Sequence, residues 1–142
     1  VDVIDFWPIP ICYSLMRRSG TVTGVVEDGA MHLWLWWNDI CIQECIVPIT
    51  GSDVSEAMNT LEARLQEFGI DEIQGVRMYG LETITDVERS DMEEIISMYG
   101  ENEYIPLLFL GRGRNRCKKG QLDWDMAIGM AARGLKWIGL GW

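Results

Sequence analysis

Histidine occurs once in these 142 residues, as His32, and the four cysteines stand at irregular positions: Cys12, Cys41, Cys45 and Cys117. A zinc site needs four ligands at suitable spacing, so one His with scattered Cys makes no zinc pattern. A chain this long also needs no disulfide framework. Cys41 and Cys45, four apart in a predicted strand, point the same way but sit roughly 13 Å apart, too far to bridge. Free, mostly buried thiols are the expectation, with no metal and no cofactor. No apolar run reaches the roughly 18 residues of a membrane span, and no basic segment followed by an apolar one opens the chain. The first residue is Val, which fits a processed product or a fragment. The compartment stays open: an intracellular soluble protein, or an organellar one after processing.

Positive charge is scarce too. Twelve Lys and Arg against 22 Asp and Glu give a net charge of −10, which favours solubility and repels phosphate backbones at long range. The same imbalance suits an acidic decoy or inhibitor that occupies a basic groove, although no residue selects that role.

What the chain has in excess is tryptophan, seven in all. Three fall in 31-MHLWLWWNDICIQEC-45, beside His32, Cys41 and Cys45. Alternation and turn chemistry organise this region into three predicted strands. The segment 21-TVTGVVE-27 turns at Asp28-Gly29, a strong hairpin dipeptide, into 30-AMHLWLWW-37. That strand turns at Asn38-Asp39 into 40-ICIQECIV-47. Two-residue loops pair Glu27 with Ala30, Val25 with His32, Trp37 with Ile40 and Leu35 with Ile42. One sheet face then collects Val22, Gly24, Val26, Met31, Leu33, Leu35, Trp37, Ile40 and Ile42. The other collects Thr23, Val25, Glu27, Ala30, His32, Trp34, Trp36, Cys41, Gln43 and Cys45. The two hairpins agree on which face is apolar.

A helix is predicted over 53–68, capped by Ser52 or Asp53, with a stripe of Val54, Met58, Leu61, Leu65 and Phe68, ended by Gly69. A short strand lies around 73–79. A capping box from Ser90 to Glu93 opens a second helix that Gly100 closes. The run 104-YIPLLFL-110 reads as a buried strand with Pro106 at an edge or bulge. After the basic loop 111-GRGRNRCKKG-120 comes a final helix from about Asp123. Residues 1–19 form an extended, Pro-bearing arm, and 20–142 one domain. The order suits an α+β fold: a small five-stranded OB-type barrel with about three helices.

Several segments resemble the staphylococcal nuclease-like (thermonuclease) family. 21-TVTGVVEDGAMHL-33 is similar to that family's first hairpin, and 56-EAMNTLEARLQEFG-69 to its first helix. 99-YGENEYIPLLFLG-111 with 122-LDWDMAIGMAARGLKWI-138 looks like its last strand and penultimate helix. The similarity covers about two thirds of the chain, with an insert around 80–98, and rests on apolar patterns. It implies a nuclease-like barrel without the nuclease. Where the family has Asp-Gly-Asp-Thr for calcium, this chain has Glu27-Asp28-Gly29-Ala30. Where an Arg follows Tyr-Gly, Glu101 follows Tyr99-Gly100. Phosphodiester hydrolysis needs metal-holding carboxylates and cations at the developing charge, and Glu101 has the wrong sign.

Three groups of residues stand as candidate sites. His32, Trp34, Trp36 and Gln43 share the less apolar face: a stacking platform, a partner contact, or intrachain packing. Arg112, Arg114, Arg116, Lys118 and Lys119 form the basic loop, either solvated or gripping an anionic partner, nucleic acid included. Phe6, Trp7, Trp137 and Trp142 are apolar arms suited to docking. No nucleophile with an orienting third group can be assigned around His32, so no catalytic residue is assigned. The acidic block 86–94 lacks the Asp/Gly spacing of a calcium loop. The first expectation is a non-catalytic interaction or structural subunit with a protein partner, in a multi-subunit complex. The second is a single-stranded nucleic-acid binder, and the third a divergent phosphodiesterase using Glu27, Asp28 and Glu101.

Overall fold

The computed structural model describes residues 19–38 and 40–102. Within them, Asp28 and Gly29 both adopt positive φ, 51° and 74°, as a two-residue type I′ loop demands of its central pair. That loop joins β1 (Thr21–Glu27) to β2 (Ala30–Trp37). The pairing runs from Glu27↔Ala30 to Thr21↔Trp36 and includes Val25↔His32, as the loop length requires. A second hairpin leads to β3 (Ile40–Pro48), with Trp37 opposite Ile40.

The register then slips. A bulge follows, so Leu35 pairs with Gln43 rather than with Ile42. One extra residue reverses the side-chain alternation beyond it. Gln43, Cys45 and Val47 therefore share a face with Leu35, and Glu44 and Ile46 share one with Trp34 and His32. The expected placement of Gln43 and Cys45 beside Trp34 is corrected by that bulge.

Helix α1 (Gly51–Gln66) starts where the Thr50 hydroxyl accepts from the Asp53 N–H at 3.1 Å. Thr50, rather than Ser52 or Asp53, is the cap. Val54, Met58, Leu61 and Leu65 are buried as a stripe, while Phe68 lies beyond the helix end and is partly exposed. The chain returns as β4 (Gly75–Tyr79), parallel to β1 from Thr21↔Gly75 to Val25↔Tyr79. Parallel neighbours need a long crossover, which α1 supplies. A short 3₁₀ turn (Leu81–Thr83) precedes α2 (Asp86–Tyr99). This helix starts at Thr85, whose hydroxyl accepts from the Glu88 N–H at 3.2 Å, and not at Ser90. Gly100 closes it, its N–H donating to the Ile96 carbonyl at 2.8 Å. Glu101 then lies beside Val76 in a parallel bridge.

The architecture is α+β: a four-stranded mixed sheet in the order β3-β2-β1-β4, with two helices. Val22, Met31, Leu33, Leu35, Val76 and Met78 from one sheet face join Val54, Met58, Leu61, Leu65, Met92 and Ile95 from the helices in one core. Gly24 sits inside it because a Cβ there would come within 2.9 Å of a Leu33 methyl and 3.1 Å of the Met31 sulfur. The opposite face is buried as well, through Thr21, Thr23, Val25, Trp34, Trp36 and Tyr79. Among the described residues the sheet is open, not closed into the expected barrel. The expected arm 1–19 (apart from Ser19), the strand 104–110, the basic loop and the final helix lie outside the described residues.

Candidate functional site

Trp34 and Trp36 project from β2 away from the helices, opposite Thr23 and Thr21 on β1. They are 3% and 0% exposed. A buried indole N–H needs a partner, and Trp36 Nε1 donates to Thr23 Oγ1 at 2.9 Å. His32 is half-buried, its ring 6.1 Å from that of Trp34 at 40°. Neither indole leaves a ring face open for a base to stack on. Gln43 is on the other side of the sheet. Gln43 thus leaves the face that His32, Trp34 and Trp36 share, and the burial of the two indoles accords with the intrachain-packing alternative.

The three acidic groups of the phosphodiesterase expectation are also kept apart. Glu27 and Asp28 end β1, whereas Glu101 pairs with Val76, which is level with Val22. Five strand residues separate those levels, roughly 17 Å, so one metal ion cannot bridge them. No group of three or more His, Cys, Asp or Glu among the described residues could hold a metal ion. Glu101 instead receives Arg77 Nη1 at 2.5 Å, while Arg77 Nη2 donates to the Asn102 carbonyl at 2.5 Å. With a side chain only 14% exposed, Arg77 ties residues 101–102 to β4. A cleft of about 530 Å³ opens between β4 and α2, lined by Met78, Leu81, Glu93, Ile96 and Glu101. The titratable groups in this lining are carboxylates.

Cys41 and Cys45 are free and half-buried. Burial, reinforced by the Glu44 carboxylate, raises both thiols above their ordinary pKa; at Cys41 a hydrogen bond with the Gln43 backbone partly opposes this. The thiolate is the nucleophile, so alkylation is expected to be slow at neutral pH. Its rate at both positions should keep climbing with pH where an ordinary thiol has levelled off. Mass-spectrometric quantification of iodoacetamide adducts against pH checks this, and fast labelling at neutral pH would contradict it.

What the sequence did not single out is the outer edge of β3. Ile40 is 64% and Ile46 57% exposed, and β3 has a neighbour only in β2 among the described residues. The signal was present: 40-ICIQECIV-47 carries no basic residue, and its apolar residues fall on both alternating sets. The basic loop (Arg112, Arg114, Arg116, Lys118, Lys119) and the arms (Phe6, Trp7, Trp137, Trp142) lie outside the described residues. No helix among the described residues is long and apolar enough to cross a membrane. No family model, curated protein or solved structure matches this chain.

Proposed function

We propose that this chain is a non-catalytic interaction or structural subunit that docks in a larger protein assembly. The observation that carries the proposal is the β3 edge, a nine-residue strand with Ile40 and Ile46 more than half exposed. An edge strand presents unpaired N–H and C=O groups, and soluble proteins guard such edges with Lys, internal Pro or a covering segment. Here the only proline is the last residue, Pro48, and the only charge is Glu44. The apolar arms expected to dock, Phe6, Trp7, Trp137 and Trp142, suit the same role.

A five-stranded OB-type, nuclease-like barrel would be the alternative architecture for such a subunit. Closing it requires the two outer strands of the sheet to meet. The bridge at Glu101 lies beside β4, at the opposite side of the sheet from β3, and exposed isoleucines on β3 favour the open edge.

Binding of single-stranded nucleic acid through the basic loop is the competing function. Phosphate contacts by Lys and Arg make affinity fall steeply with salt. An interaction subunit with a net charge of −10 is expected to show no salt-sensitive binding to a labelled single-stranded oligonucleotide at low ionic strength. Binding that weakens as salt is added would replace the proposal with the nucleic-acid function.

A further inference from the structure

We propose that β3 pairs edge to edge with β3 of a second copy of this chain, antiparallel, about a two-fold axis at Cys45. This rests on the interaction role just proposed and names its partner. Which backbone groups face outward follows from the hairpins. A two-residue loop is closed by a hydrogen-bonded pair, and bonded and non-bonded pairs then alternate along the ladder. Glu27↔Ala30 and Trp37↔Ile40 are the closing pairs. Even-numbered residues of β2 thus turn their backbone groups to β1, and odd-numbered ones to β3. The Gly20 N–H donating to the Trp36 carbonyl at 2.7 Å agrees. On β3, the residues opposite His32 and Trp34 are Ile46 and Glu44. Their N–H and C=O groups therefore face away from β2.

Symmetry leaves few registers. An axis at Glu44 sets Glu44 directly against Glu44 of the second copy, a like-charge pair that destabilises a sheet. An axis at Ile46 sets Glu44 against Pro48, which has no N–H to give. An axis at Cys45 avoids both faults. Glu44 then meets Ile46 of the second copy, each such pair exchanging both of its backbone bonds, and Gln43 meets Val47. The bulge beyond Gln43 ends the regular ladder, so pairing spans 43–47. Cys45 faces Cys45 of the second copy in a non-bonded pair, where Cα atoms approach to about 4.5 Å. A disulfide spans that distance. Cys41 lies four residues from the axis, so the two Cys41 residues are more than about 20 Å apart and cannot bridge.

Sedimentation analysis of the full chain is expected to give a species of twice 16.2 kDa. Ile46→Asp sets a carboxylate directly against Glu44 of the second copy, a like-charge pair, and should reduce the species to the single-chain mass with an unchanged far-UV circular dichroism spectrum, because Ile46 is more than half exposed. Diamide, which takes up two electrons and two protons as two thiols join, should trap a covalent dimer at alkaline pH. That product should persist in Cys41→Ser and vanish in Cys45→Ser. A single-chain mass for the unmodified protein at all concentrations would overturn the proposal. So would a dimer indifferent to Ile46→Asp, or one whose cross-link survives Cys45→Ser. The docking role is read separately: if the purified protein is a monomer but Ile46→Asp still releases it from a larger complex in its source extract, only the self-pairing fails. If the substitution changes neither, the docking role fails with it.

Discussion

Trp36→Ala is expected to lower the stability of the described domain by about 3–5 kcal/mol, the range for removing a large aromatic side chain from a packed site. Trp36 is fully buried on the sheet face away from the helices, where its N–H is held by Thr23 Oγ1. Truncation removes the ring's packing and leaves the Thr23 hydroxyl, itself 0% exposed, without that donor. Trp36→Phe separates the two effects. It retains most of the ring and loses the hydrogen bond, so about 1–3 kcal/mol is expected. Urea unfolding followed by circular dichroism measures both. A loss below about 1 kcal/mol for Trp36→Ala would mean that the tryptophan face is not packed as described.

A charge on the other face should be worse. Leu33 lies on β2 under Gly24, with no exposed surface, at the centre of the core shared with α1 and α2. Leu33→Asp removes that packing and places a carboxylate among apolar side chains. The two terms together reach about 5 kcal/mol or more, as large as the whole stability of a marginal domain. Loss of the cooperative unfolding transition at neutral pH is expected. The sign with pH is fixed: burial raises the introduced carboxyl's pKa, so its penalty shrinks as pH falls and the group becomes neutral. The same change at Ile46, on the exposed edge, should leave the fold intact. Similar losses at the two positions would contradict the assignment of core and edge.

Much of this sheet was legible because its determinants are local. Asp28-Gly29 specifies a two-residue loop, the loop specifies the register of β1 against β2, and alternation then sorts Met31, Leu33 and Leu35 from His32, Trp34 and Trp36. The α1 stripe was legible for the same reason, since Val54, Met58, Leu61 and Leu65 recur at helical spacing. Other features depend on contacts distant in sequence. The bulge on β3 has no mark in 40-ICIQECIV-47, where both alternating sets are apolar, so sequence cannot place the slip that moves Gln43 away from Trp34. The start of α2 has two equivalent signals, Thr85-x-x-Glu88 and Ser90-x-x-Glu93, and the structure uses the first. The partner of β4 follows from how α1 crosses the sheet.

The buried tryptophan face has its own signal in the sequence. In 30-AMHLWLWW-37 nearly every position is apolar, on both alternating sets. A strand solvated on one side reads as clean alternation, whereas a strand buried on both faces reads as a continuous apolar run. That distinction bears on function. Both faces of β2 are covered, and the exposed large apolar side chains of the sheet among the described residues, Ile40 and Ile46, lie on its outer strand β3.

The most direct measurement is the size at which the native, untagged protein elutes from an extract of its source. A docking subunit is expected in an assembly of at least twice the 16.2 kDa of the chain, which Ile46→Asp reduces in size. Elution as a lone chain would contradict the docking role.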